Sequence, residues 1–180
     1  MSSNVIRFDS ERNLITLGGR RLVFHCHHYN LFLQQTVSDA LQKDAKTVEV
    51  AASSEASHLL LLELLSEEER KRGKLSFSAK IAFAQQMFMA LGFGYPEVAQ
   101  LTPAGGIVTL MTSHYALGWH LKMGRAKTPV CHFATGFWIG ALVAALGIHP
   151  DRVFGEETRC IACEGPENPT DSCQIELEVL

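Results

Sequence analysis

Between Thr135 and Ile148 the sequence T-G-F-W-I-G-A-L-V-A-A-L-G-I carries no charge and only one hydroxyl. A segment this apolar needs cover, yet it is too short to cross a bilayer, which takes roughly 20 residues. It therefore reads as a buried helix, spanning Cys131 to Leu146 after the Thr128-Pro129 break. Phe133, Phe137, Ile139 and Leu142 mark its main apolar positions, so an amphipathic helix is expected. Gly136 and Gly140 share one face and permit a neighbour to approach closely. At 180 residues the chain can build one substantial core, and a single domain over 1–180 is the expectation.

The elements that would cover this helix can be read from periodicity. Short β-prone runs flank Gly18-Gly19, which signals a hairpin within residues 5–24. A helical region follows over 25–92. Its first helix runs from His25 to about Lys43 through Leu31, Leu33, Val37 and Leu41, and its second from Val48 to Leu65. The third spans Ser76 to Leu91, with Ser76 or Ser78 as N-cap and Gly92 as stop. Ser53, Ser54 and Ser57 interrupt the second helix, either solvating one face or loosening it midway. Ile107 to Thr112 reads as a strand, whereas Ser113 to Met123 is ambiguous between helix and strand. Val153 to Cys163 and Cys173 to Leu180 form an antiparallel pair, in which Cys173, Ile175, Leu177 and Val179 alternate with Gln174, Glu176 and Glu178. The expected class is α/β of the α+β type, an antiparallel sheet of hairpins packed with about four helices.

Composition narrows the function classes. A net charge of −3 with no long Lys/Arg stripe gives no electrostatic footprint for nucleic acid. The densest charge run, Glu67 to Arg72, mixes signs before Gly73 and reads as a solvated helix end. Met1 to Ser10 lacks the basic start and apolar run of a signal peptide, so a cytoplasmic location is expected. In that reducing compartment structural disulfides are uncommon, and five cysteines cannot all pair.

Three of those cysteines, Cys160, Cys163 and Cys173, fall in the C-terminal hairpin. Cys160 ends one strand and Cys173 begins its partner, with the 165–171 connection bringing them together. Glu157 lies three residues before Cys160, and Cys131 can join from the start of the apolar helix, where free amides and the dipole favour a thiolate. These four groups suit a metal such as zinc. Two other readings stay open: Cys160-Ile-Ala-Cys163 as a redox pair, although it sits at a strand exit, and cysteine as ordinary buried filler.

The second unusual stretch is Phe24-His25-Cys26-His27-His28-Tyr29-Asn30, where strand gives way to helix. His25 and His28 share a helix face, which suggests a metal, haem or acid–base site, or else imidazoles filling a polar corner of the core. The i, i+4 spacing of a helical metal pair is absent. His114, Tyr115, Trp119 and His120 form a further aromatic group, followed by His132, Phe133, Phe137 and Trp138.

The stretches P-V-C-H-F-A-T-G-F-W-I-G (129–140), E-T-R-C-I-A-C-E-G (157–165) and Cys173 before its alternating strand resemble the 4-vinyl reductase-like domain. That domain occurs in bacteriochlorophyll-biosynthesis accessory proteins and hydrocarbon-binding proteins. It also forms the aromatic-sensing domain of phenol- and xylene-responsive activators. S-H-Y-A-L-G-W-H-L-K-M-G (113–124) is similar in placement, so the resemblance covers residues 107–180. It implies a structural zinc held by Cys131, Glu157, Cys160 and Cys173, which braces the C-terminal lobe, with Cys163 at a non-ligand position. Connections that are longer here than in the sensors leave Glu156 and Cys163 as alternative ligands. The resemblance also implies an apolar ligand cavity, for which His25, His28, His114, Tyr115, Trp119, Phe137 and Trp138 are the candidate lining.

The expected function is binding of a small hydrophobic, aromatic or tetrapyrrole-like molecule, as a sensor or carrier. No G-x-x-x-x-G-K-[ST] loop and no helix-turn-helix tail accompanies it. The alternative is a metal- or haem-dependent enzyme or accessory subunit of reductase type using the His25–His28 region, although Gly18-Gly19-Arg20-Arg21 is no dinucleotide fingerprint. A purely interaction-based role rests on the likeness of the family fold to subunits of vesicle-tethering complexes. The strand edges of the N-terminal hairpin predict a homodimer.

Overall fold

A computed structural model describes residues 6–23, 25–164 and 172–180. Val5, Phe24 and the 165–171 connection, on which parts of the expected hairpins fall, lie outside the described residues. The N-terminal sheet comprises β1 (Ile6–Asp9), β2 (Leu14–Leu17) and β3 (Arg20–Leu22), antiparallel in that order. Gly18 and Gly19, at φ 55° and 84°, supply the two left-handed positions of a tight hairpin turn between β2 and β3.

Three helices follow: α1 (His27–Leu41), α2 (Ala45–Arg72) and α3 (Phe77–Ala90). Next come β4 (Gly94–Glu97), β5 (Gly105–Ser113), α4 (His114–Met123) and α5 (His132–Leu146). The chain ends with β6 (Val153–Arg159), the single turn α6 (Ile161–Glu164) and β7 (Cys173–Val179). The second sheet is antiparallel throughout, in the order β4-β5-β7-β6. This is the α+β architecture read from periodicity, with five long helices among the described residues where about four were expected. The extra one is α4, which settles the ambiguous 113–123 stretch. Its cap is Ser113, whose Oγ accepts from the Ala116 amide at 3.2 Å.

Helix α2 also runs longer than its apolar pattern. The charge run extends it by i, i+4 pairing, with Arg72 on Glu68 at 2.9 Å, until Gly73 stops it at φ 84°. Glu69 then joins α2 to α3 by accepting from the Leu75 amide at 3.1 Å and pairing with Lys80 at 3.2 Å.

The fold is arranged around α5. Every residue from Ala134 to Ala145 is buried, so the helix is covered on all faces rather than amphipathic. The second sheet and α3 take one side, where Phe88 meets Phe137 and Trp138 with ring centroids 5.1 and 5.7 Å away. α2 takes the other. The residues that make this contact are small: a Cβ on Gly136 would lie 2.4 Å from the Val50 carbonyl oxygen, and one on Gly140 2.5 Å from that of Ser54. Facing them, Ser53 and Ser57 are buried, and the Ser53 hydroxyl donates to the Phe133 carbonyl at 2.7 Å. The serines neither solvate nor loosen α2. They let its backbone lie directly against that of α5.

Gly140→Ala forces a side-chain carbon into backbone that cannot yield, and overpacking of this kind costs roughly 1–3 kcal/mol. Urea unfolding should show that loss, whereas Leu59→Ala, on the exposed face of α2, should stay within about 0.5 kcal/mol of the parent.

Candidate metal centre and ligand cleft

The end of β6, the start of β7 and the start of α5 converge at one point. Cys131, Glu157, Cys160 and Cys173 are all buried there, and their ligand atoms lie within 4.8 Å of one another. Strand alternation decides which glutamate takes part. Glu157 is on the inward face of β6 with Val153, while Glu156 points out and pairs with Lys46 at 2.9 Å. Cys160 follows β6 directly, and Cys173 opens β7 on its buried face. Cys163 is half-buried and outside the group of four. Its C-x-x-C stretch leaves β6 at Cys160 and enters the turn α6, and the Cys163 carbonyl accepts from Arg125.

One sulfur pair has the spacing of a tetrahedral site. Two thiolates on one zinc, each roughly 2.3 Å from it, sit about 3.8 Å apart. The Cys131 and Cys173 sulfurs are 3.7 Å apart. The Cys131 amide donates to Glu157 Oε2 at 2.7 Å, leaving Oε1 buried and without a partner among the described residues. Ser113 Oγ lies 3.1 Å from the Cys131 sulfur, and the Ile161 amide donates to the Cys173 sulfur at 3.4 Å. These contacts orient the ligand groups from outside. Ser113 carries no sequence signal for this role beyond that of a helix cap.

Without a cation the cluster's electrostatics are unfavourable. Burial, then the neighbouring Cys160, pushes the Glu157 carboxyl up to about 8. Burial likewise raises the Cys131 thiol well above its ordinary range, reversing the thiolate bias expected at a helix start. Cys160 is the group held ionised, well below the usual thiol range, because the Cys131 and Cys173 thiols hydrogen-bond to it and the Val130 amide adds to them.

The second feature is a cleft of about 280 Å³ between α1, α2 and the first turns of α4 and α5. α1 contributes Asn30, Leu33, Gln34 and Val37, and α2 contributes Glu49, Ala52, Ser53 and Ala56. Tyr115 and Phe133 close its inner end with ring centroids 5.8 Å apart. Of the seven residues expected to line a cavity, Tyr115 is the one at this cleft. Phe137 and Trp138 are in the core, because their side of α5 faces α3 rather than α1. Trp119 is partly buried against the core. His25 and His28 are exposed, and His25 stacks on Tyr29 with centroids 4.3 Å apart.

The histidine that turns inward is His27, whose Nδ1 lies 3.3 Å from Nδ1 of His114. Gly118 makes room for it: a Cβ there would sit 2.2 Å from the His27 ring. Burial, then the Lys122 charge, holds His27 below its ordinary pKa, and burial with His27 does the same to His114. Two neutral rings can share one hydrogen bond, so this pair fastens α1 to α4. The α1 and α2 lining was missed because aliphatic and small residues on a helix face look like any packing surface. Gln34, set among Leu31, Leu33 and Val37 in the sequence of α1, was the available hint.

No family model matches the chain, and no curated protein matches it in sequence. Among solved structures it is similar to the crystal structure of the phenol-responsive sensory domain of the transcription activator PoxR with phenol. The TM-score is 0.78 at 17% identity, over 98% of this chain and 86% of that one. The two share a fold.

The raised Glu157 carboxyl sets a pH dependence for metal-free protein. Its folded value, about 8, exceeds the 4.5 of the free group, so its stabilising effect is complete below about pH 4.5 and is lost as pH rises through 8. Over that interval the ionised Cys160 contributes in the opposite sense, so in denaturant titrations of chelator-stripped protein the stability of Glu157→Gln should rise with pH relative to the parent.

Proposed function

We propose that this chain binds a small hydrophobic or aromatic molecule in the cleft, as a sensor or carrier, and that a structural zinc on Cys131, Glu157, Cys160 and Cys173 braces one wall of it. The observation that carries this reading is that both features are built on the same turn. Cys131 caps α5 and belongs to the cluster, while Phe133, two residues on, lines the cleft. The neighbour in fold responds to phenol and was crystallised with it, which supports an aromatic ligand here. The resemblance of residues 107–180 to the 4-vinyl reductase-like domain points the same way.

Zinc would supply positive charge to a buried anionic group and link β6, β7 and α5. Four protein ligands complete a tetrahedral shell, so the role is structural. Ligand binding would favour the state in which α1 is closed over the cleft, and that population shift is the signal a partner could read. The outer edge of β1, whose residues are all exposed, offers the pairing surface for a second copy. The metal- or haem-dependent enzyme placed at His25–His28 gains no support from the geometry. Both rings face solvent, and the described residues provide no third ligand beside them.

Native mass spectrometry of the purified chain reads zinc, retained small molecule and oligomer in one experiment. One zinc per chain is expected, lost in Cys160→Ser and Cys173→Ser and kept in Cys163→Ser. Added toluene should appear as a bound mass. Retention of full zinc by all three variants would remove the proposed metal site, and a chain that takes up no aromatic molecule would remove the binding function.

A further inference from the structure

We infer that the cleft selects small apolar molecules carrying a hydrogen-bond-donating head, a primary amine best of all, and that Gln34 and Glu49 are the residues that read that head. This rests on the cleft being a ligand site, as proposed above, and adds the chemical class of the ligand.

Most of the lining is hydrocarbon, from Leu33, Val37, Ala52, Ala56 and Phe133. Asn30, Gln34, Glu49, Ser53 and Tyr115 add polar groups, and of these Gln34 and Glu49 hold a buried acceptor without a partner among the described residues. Gln34 is 7% exposed, and its Nε2 donates to the Val130 carbonyl at 2.7 Å. That bond fixes the orientation of the amide, since a flipped group would set oxygen against oxygen. The remaining atom, Oε1, is therefore an acceptor, and it is buried with no partner among the described residues. Glu49 repeats the arrangement. Its Oε2 meets His132 Nδ1 at 2.7 Å, and its Oε1 is buried and unpartnered among the described residues.

Buried acceptors without donors destabilise a fold, and native interiors keep few of them. Both of these oxygens belong to residues that line one apolar cleft, where a ligand can bring the missing donors. An amine brings two or three N–H groups and, when protonated, a charge that suits the Glu49 carboxylate. A hydroxyl brings one donor and a methyl none, while a carboxylate would set further acceptors against those already present. Size is no obstacle, because an apolar cavity of roughly 150 Å³ already admits benzene.

Calorimetric titration of the full chain with benzylamine, benzyl alcohol, toluene and benzoate varies the head on one ring. Benzylamine should bind most tightly and benzyl alcohol next, with toluene weaker than benzylamine by about 10-fold or more and benzoate weakest. Gln34→Leu and Glu49→Gln should each narrow the gap between benzylamine and toluene. If toluene or benzoate matches benzylamine on the parent protein, the two oxygens are served by water and this inference fails, while the proposed apolar binding function stands. Binding by none of the four removes both. A gap that neither variant narrows assigns the selection to other residues and overturns the assignment of Gln34 and Glu49.

Discussion

The whole arrangement depends on how closely α5 lies against α2. Gly136 and Gly140 leave no side chain between the two backbones, and Ser53 and Ser57 provide a matching small surface. That contact holds an all-apolar helix at the centre of the molecule, with the sheet and α3 free to cover its other faces. It also fixes the first turn of α5 in space. Since Cys131, His132 and Phe133 are in or next to that turn, the position of the cluster and the shape of the cleft both follow from it.

The two sites are joined through one residue. The Val130 carbonyl accepts from Gln34 on the cleft side, and the Val130 amide donates towards Cys160 on the cluster side. A change in either site is thus felt by the backbone that serves the other. Their electrostatics differ in kind. The cluster gathers three thiols and a carboxyl out of water and has a deficit of positive charge. The cleft is nearly all hydrocarbon and has a deficit of hydrogen-bond donors. Each deficit indicates what the chain lacks and a ligand could bring.

Much of this was legible in the residues. The alternation in β7 placed Cys173 inward, and with it Ile175 and Leu177. The grouping of Cys131 with Glu157, Cys160 and Cys173 came from the family resemblance, and the structure brings those four side chains together. The cleft was hardly legible, because aromatic residues attract attention as pocket lining while packing decides which of them a pocket receives. Phe137 and Trp138 went to the core once α5 proved to be covered on all sides. The conspicuous His25 and His28 stayed outside, and the histidine between them turned inward because Gly118 leaves space for its ring.

The sequence by itself determined the class of fold, the buried helix and the inward face of the C-terminal strands. These are local properties, set by the spacing of apolar side chains along one segment. Tertiary structure alone decided that the serines of α2 meet the glycines of α5 and that Gln34 and Glu49 border one cleft. Each of these depends on two segments distant in the chain and on the packing that orients them, which no single stretch of residues encodes.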